Sequence, residues 1–360
     1  MKSLARKNIL NITPYIAGKP IEETRRQLGL KEVVKLASNE NPLGASPKAL
    51  EAIRKNLGGI NRYPDSNGFY LKKRLAEFLK VAPLNIVLGN GSDELIDVII
   101  KTFVEEDENI VTADTTFLEY KIISQVNARK IITVPLRYFK YDLEAMKRKI
   151  NAKTKAVFIS NPNNPTGTYL NGLELRDFIR SLPRDIVLVL DEAYDTFIDV
   201  DDFPKSLKYL NNGNIIILKT FSKAYGLAGL RLGYAISHFQ LAACMEVVRQ
   251  PFNVNALAQV AGVAALADDK FLCNTRKLVL KGKAYIYDCL SRLGIAYVPS
   301  VANFILIDVG RDSVAVFKDM LKYGVIVRDM LQYGLKNFIR VTIGTQKENE
   351  RFIQVLKKVL

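Results

Sequence analysis

Apolar residues in the middle of the chain come in short unbroken runs, at 109–113, 131–134, 156–160, 186–190 and 215–218. Short runs rich in Val and Ile predict strands buried on both faces. Most of the intervening segments are long enough for crossover helices, so the pattern predicts a largely parallel sheet with helices on both sides. Ahead of these runs, 85–103 (NIVLGNGSDELIDVIIKTF) reads as a short strand, a glycine-rich turn and an amphipathic helix. Helical periodicity also begins at Pro47, a first-turn proline after Ser46, and stops at Gly58-Gly59; a second amphipathic segment covers 69–79. Past Asp268 the character changes. A long helix is expected over about 271–292, strands at 296–298, 304–308, 325–328 and 339–343, and helices at 313–322 and 348–360. Residues 1–45, broken by Pro14, Gly18, Pro20 and Pro42, predict an irregular arm in which only 21–28 is helical. The expected organisation is α/β: a large unit over 46–268, and a smaller α/β unit formed by 269–360 with the arm 1–45.

Length and composition agree with this picture. A chain of 360 residues, 48% hydrophobic and 25% charged, has a substantial core and exceeds one ordinary domain. The net charge of +15 raises the question of nucleic acid. Yet the basic residues are dispersed along amphipathic segments such as 71–80 and 317–322, with no basic tail or zinc finger. A solvated surface whose positive field attracts anionic substrates is the simpler reading, with no nucleic-acid partner expected. No apolar run approaches membrane-spanning length, and the start, MKSLARKNILNITPY, lacks an apolar signal core, so neither membrane insertion nor a signal peptide is expected. Cys244, Cys273 and Cys289 form no CxxC, which favours a reducing cytoplasm and packing in the core. His238 is the single histidine. It follows a strand-like segment, which favours a loop or strand-end role. No cluster of His and Cys shows zinc spacing, and a Ser-His-Asp triad could use only that residue.

Candidate chemistry concentrates in 218–234, LKTFSKAYGLAGLRLGY, at the tail of the last central strand. Thr220 and Ser222 bracket Phe221, Lys223 follows, and Arg231 lies among small residues. A lysine between hydroxyls and an arginine suggests an amine nucleophile beside an anion site. Lysine condenses with carbonyls, and pyridoxal phosphate is the carbonyl cofactor that also carries a phosphate. Arg231 can hold such a phosphate by two parallel hydrogen bonds. The glycine-rich turn before the helix in 85–103, with Ser92, is a second anion site. Glu94 stands where a Rossmann fingerprint needs its third glycine. Two more strands end in SNPNNPTG (160–167) and DEAY (191–194), at the carboxyl ends where open α/β sheets place ligands.

The stretch 218–234 resembles the lysine segment of fold-type I pyridoxal-phosphate aminotransferases. NENPLG, RYPD, GSDE, NPNNPTG, DEAY and the C-terminal VIVRDM…FIRVTIGT extend the resemblance over nearly the whole chain. Within that family the motifs look most like the branch acting on histidinol phosphate. Thr115 and Ala45 depart from the branch's usual prolines and touch loop rigidity only. The resemblance implies a fold-type I architecture, with a mostly parallel central sheet flanked by helices in the large domain, a smaller α/β C-terminal domain and an N-terminal arm. It implies pyridoxal 5'-phosphate as cofactor, with Lys223 as the catalytic amine and Ser92 and Asp93 at the phosphate turn.

The cofactor's chemistry assigns further residues. A carboxylate at the ring nitrogen keeps it protonated, and Asp191 suits that place. Asn164 and Tyr194 are candidates for the phenolic oxygen, and Phe117 for the ring face. The resemblance also implies that Tyr63 reaches the cofactor phosphate of a neighbouring subunit, making the active unit a homodimer. It implies that Arg340 takes the substrate's acidic group, with Arg328, Tyr15 and Asn39 beside it. The expected reaction moves an amino group between L-histidinol phosphate and 2-oxoglutarate, a small-molecule donor and a 2-oxo acid. An aromatic amino-acid aminotransferase would keep the cofactor residues and change the substrate pocket. A phosphothreonine decarboxylase would break a carbon–carboxylate bond instead. A protein that only binds the cofactor or nucleic acid would need neither the lysine nor its proton-handling partners.

Overall fold

The computed structural model describes residues 4–16 and 18–360. In chain order the strands are β1 (Val34–Lys35), β2 (Ile86–Gly89), β3 (Asn109–Ala113), β4 (Lys130–Val134), β5 (Thr154–Ser160), β6 (Val187–Asp191), β7 (Ile215–Thr220), β8 (Gly233–Ser237), β9 (Tyr297–Val298), β10 (Phe304–Asp308), β11 (Val325–Ile326), β12 (Arg328–Asp329) and β13 (Phe338–Thr342). Seven of them form the central sheet in the order β2-β8-β7-β6-β5-β3-β4. All run parallel except β8, which pairs antiparallel with both β7 and β2. The five apolar runs are β3 to β7. Helices Leu118–Val126, Leu143–Lys149 and Gly172–Ser181 cross between consecutive parallel strands.

The unbroken apolar runs have a direct physical consequence. Side chains alternate between sheet faces, and here both faces are covered. Val157, Ile159, Leu188, Leu190 and Ile217 enter one core cluster. Their neighbours Ala156, Phe158, Val187, Val189 and Ile216 enter the other. A second sheet, β12-β13-β10-β9, is wholly antiparallel. It packs its own cluster, including Phe304, Ile305, Ile339 and Val341, against Val279, Ile286 and Leu290 of helix Asp269–Arg292 and Phe352 and Leu356 of helix Gln346–Val359. The short parallel pair β1-β11 joins the N-terminal segment to this region, with Val34 opposite Val325.

Helix boundaries follow local chemistry. Ser46 accepts the Ala49 N–H at 3.3 Å ahead of Pro47. Reciprocal capping boxes, Asn171 with Glu174 and Thr345 with Glu348, start two more helices. Asp65 of RYPD accepts the Phe69 N–H at 2.8 Å, ahead of helix Phe69–Leu79. His238 occupies the N-cap position between β8 and helix Phe239–Val248. The expectation of core cysteines is corrected: Cys244 and Cys273 are exposed and Cys289 is half-buried. Cys244 and Cys273 fall on solvent-facing positions of their helices, where a small thiol has no packing role to fill. Among the described residues, no helix is long and apolar enough to cross a membrane, and no cluster of His, Cys, Asp and Glu could hold a metal.

Candidate active site

The parallel strands β5, β6 and β7 end at Ser160, Asp191 and Thr220, and β2 ends at the turn opening helix Ser92–Phe103. These ends lie beside the point where chain order along the sheet reverses, since β3 sits next to β5. Open α/β sheets place ligands at such a crevice. A cavity of about 250 Å³ lies there, walled by Tyr15, Ser92, Phe117, Asn164, Asp191 and Lys223 among others. Asp93, Tyr194, Thr220, Ser222 and Arg231 complete the sequence-predicted residues on its wall.

At one end the helix N-terminus presents Ser92 and Asp93, and Arg231 faces them. Arg231 Nη2 meets Asp93 Oδ2 at 3.0 Å, and Nη1 approaches Ser222 Oγ at 3.5 Å. The Ser222 N–H donates to Thr220 Oγ1 at 3.0 Å. Arg231 itself adopts φ 53°, unusual for a residue with a side chain and concentrated at functional positions. Gly91 before the helix has φ 83°, and a Cβ there would lie 2.5 Å from Arg231 Nη2. The turn is therefore open because it is glycine. At Gly226 a Cβ would collide with the Gly44 carbonyl, so SNENPLG packs directly against the lysine segment.

At the other end Asp191 is buried. Its Oδ2 accepts from the Tyr120 hydroxyl at 2.7 Å and its Oδ1 from the Ala193 N–H at 3.1 Å. Burial pushes its carboxyl up to about 6, against the opposing pull of the Tyr120 hydrogen bond. Lys223 Nζ donates to the Ser38 carbonyl at 3.2 Å and lies 5.8 Å from the centre of the Tyr194 ring. Burial, reinforced by the Arg340 guanidinium, lowers its ammonium to about 8. Lys219, four residues earlier, is held by Glu192 at 2.8 Å and by Asp195. Burial would lower its pKa, but the two carboxylates outweigh burial and raise it.

The remaining predicted residues connect to this wall from the second sheet and the arm. Asn39, buried at φ 55°, donates to the Tyr194 hydroxyl at 3.0 Å and accepts from Thr342 Oγ1 at 3.1 Å. Burial pushes the Tyr194 phenol up to about 12. Arg340 donates to Asn164 Oδ1 and, at 2.9 Å, to the Ala37 carbonyl. Arg328 is its direct cross-strand partner and lies 5.2 Å from the centre of the Tyr15 ring. Both arginines are buried, and among the described residues neither has a carboxylate partner. Tyr63 stands apart. It is 83% exposed and stacks on Phe252 at 4.7 Å on the wall of a separate surface cavity.

Sequence reasoning did not single out Tyr120, Glu119 or Ser160. Tyr120 carried a usable signal. In TTFLEY it follows Phe117 at a spacing of three, which puts both residues on one side of a helical turn.

An α/β sheet whose strand ends bring a lysine, a buried carboxylate and a glycine-opened anion site to one cavity defines a class of amine-handling enzymes, and the comparisons agree. The family profile "Aminotransferase class I and II" matches residues 31–356. The histidinol-phosphate aminotransferase of Moorella thermoacetica is 47% identical over 357 residues, 99% of this chain and 92% of that one. Histidinol-phosphate aminotransferase 2 of Pseudomonas aeruginosa is 45% identical, over 99% of this chain and 98% of that one. Among solved structures, histidinol-phosphate aminotransferase from Sinorhizobium meliloti in complex with pyridoxal-5'-phosphate superposes with a TM-score of 0.91 at 29% identity, covering 100% of this chain and 98% of that one. The chain belongs to the class I and II aminotransferases.

Proposed function

We propose that the protein transfers an amino group between L-histidinol phosphate and 2-oxoglutarate, using pyridoxal 5'-phosphate held in the cavity described above. The observation that carries the substrate assignment is the pair Arg328 and Arg340. Two like charges directly across an antiparallel pair repel each other, and buried charges normally have partners. Here the pair is buried side by side with no carboxylate, an arrangement that favours a ligand with more than one negative charge. Relatives named for histidinol phosphate span the full chain.

The cavity residues fit the cofactor chemically. The opening at Gly91, the N-terminus of helix Ser92–Phe103, Ser92, Thr220, Ser222 and Arg231 suit a phosphate. Asp93 sits within that turn, where its N–H is the useful group and its carboxylate pairs with Arg231. Asp191 suits a ring nitrogen, Asn164 and Tyr194 a phenolic oxygen, and Phe117 a ring face. When bound, pyridoxal phosphate supplies a carbonyl for the amine and a ring that accepts the electron pair left on the substrate carbon. Lys223 supplies the amine, and as a free base it carries the proton to and from that carbon. Its lowered pKa keeps a useful fraction unprotonated near neutrality. Tyr15 and Asn39 close the substrate side. Tyr63 serves the site of a second subunit, so that the working unit is a homodimer. The chain divides into residues 46–268 around the cofactor and a smaller unit of 1–45 with 269–360. The dispersal of the basic residues and the strand-end lysine site suit a cytoplasmic biosynthetic enzyme better than a nucleic-acid binder.

A panel of half-reactions tests the assignment: histidinol phosphate, phenylalanine, aspartate and phosphothreonine, each followed by the cofactor's absorbance. Histidinol phosphate is expected to have the highest kcat/KM. A higher value for phenylalanine would move the assignment to the aromatic aminotransferases, and carbon dioxide release from phosphothreonine to the decarboxylases.

A further inference from the structure

We propose that Tyr120 is a positioning residue that aims Asp191 into the cavity and keeps its carboxylate ionised there. The inference rests on the cofactor reading above, and its evidence is geometric. Tyr120 is 0% exposed on helix Leu118–Val126, one turn beyond Phe117, and its ring lies edge-on to Phe117 at 5.6 Å and 5.1 Å from Phe158. Its position is thus fixed by packing. Its hydroxyl donates to Asp191 Oδ2 at 2.7 Å while the Ala193 N–H donates to Oδ1 at 3.1 Å. Held at both oxygens, the carboxylate is fixed about its bond in the wall of the cavity that it lines. The same helix end therefore carries both the flat face of Phe117 and the hydroxyl behind Asp191, so ring stacking and nitrogen recognition share one rigid support.

Burial is the main force against ionisation of Asp191, and the neighbouring carboxylates add to it. Asp93 at the neighbouring helix N-terminus and Glu192 next along the chain bear on it, and Tyr141 and Tyr194 are phenols that burial keeps neutral. Lys223 lies across the cavity. Hydrogen bonds to the charged form then decide its state, and Tyr120 is the side chain that supplies one.

Tyr120→Phe removes only the hydroxyl and keeps the ring packing. Tyr141→Phe is the control: a buried phenol whose hydroxyl binds Thr116 and the Ser160 N–H instead of Asp191. In cofactor-free protein, the Asp191 carboxyl titration is followed by infrared difference against Asp191→Asn. Tyr120→Phe is expected to raise its midpoint by about one pH unit. Pyridoxal phosphate affinity should weaken about tenfold, equivalent to about 1.4 kcal/mol. In turnover, kcat should fall while KM for the amino donor stays within about twofold. Tyr141→Phe should leave the midpoint in place. An unmoved midpoint in Tyr120→Phe, or an equal shift in Tyr141→Phe, overturns the inference while leaving the cofactor reading intact, provided Asp191→Asn weakens cofactor binding. Unchanged cofactor affinity in Asp191→Asn overturns both.

Discussion

Lys223 and Asp191 face one cavity with their pKa values moved toward each other, down to about 8 and up to about 6. The two shifts act oppositely on stability. An unfolded lysine keeps its proton to about 10.4, so between the folded and unfolded values the unfolded chain binds more protons. Cofactor-free protein should therefore gain stability as pH rises from about 8 to about 10.4. Asp191 holds its proton longer when folded, so its contribution is lost as pH rises from about 4 to about 6. Denaturant unfolding across the alkaline window should show a slope that flattens in Lys223→Met, by at most about 1.4 kcal/mol per pH unit. An unchanged slope would place the titration on another group. Lys223→Ala should keep cofactor binding and lose turnover by ~10²–10⁴-fold or more, and borohydride reduction of the parent protein should leave its adduct on Lys223. An adduct on Lys219 would overturn the assignment. Glu192 and Asp195 hold Lys219 as an ammonium, which is not a nucleophile. Residues like these were legible in the sequence because strand ends gather chemistry within a few positions of one another. The contacts of Asn39 with Tyr194 and Thr342 were not, because they join residues separated by up to 303 positions.

At the scale of elements, the buried parallel strands were the most readable part of the chain, since coverage on both faces makes their apolar runs continuous. β8 was harder to read: GYAIS resembles a parallel strand locally, and only its pairing makes it antiparallel. The stretch expected as one strand over 325–328 is divided, with β11 pairing β1 and β12 pairing β13. That division matters, because it sets Arg328 directly opposite Arg340. One arginine suffices for a carboxylate, whereas a phosphate projects further and carries more charge, so the second cation belongs to the phosphate. Removing one partner of a desolvated charge pair costs about 2–5 kcal/mol, or ~30- to several-thousand-fold in kcat/KM. Arg328→Gln should lose that much for histidinol phosphate and stay within about tenfold for phenylalanine, if phenylalanine is a substrate. Arg340→Gln should damage both. Steady-state kinetics with the two donors decides the matter; equal losses in Arg328→Gln would remove the phosphate-specific role.

Of the predicted site residues, Tyr63 alone neither lines the cavity nor contacts a residue of its wall. Tyr63 lies on the surface with Ile60, Phe69 and Tyr70, all strongly exposed, and stacks on Phe252. Large apolar side chains gathered at a surface are common where another chain docks. RYPD itself is tied down from within, since Asp65 caps the following helix and its carbonyl accepts from Gln259. That anchoring fixes where Tyr63 projects without bringing it to the phosphate turn of its own subunit. In a two-fold dimer each subunit offers the same surface to its partner, so Tyr63 of one chain would complete the site built on Lys223 of the other. Mixing therefore separates the two roles. Tyr63→Ala and Lys223→Ala should each be strongly impaired alone. After subunit exchange, a mixed dimer has one site lacking both residues and one site with both intact. With equal amounts and random pairing, half of the dimers are mixed, so activity should recover to about a quarter of the parent value. Exchange is verified by mass spectrometry of the intact dimers, and activity is read with histidinol phosphate. No recovery after verified exchange would mean that Tyr63 acts on its own subunit or only supports the surface, and the shared site would have to be given up.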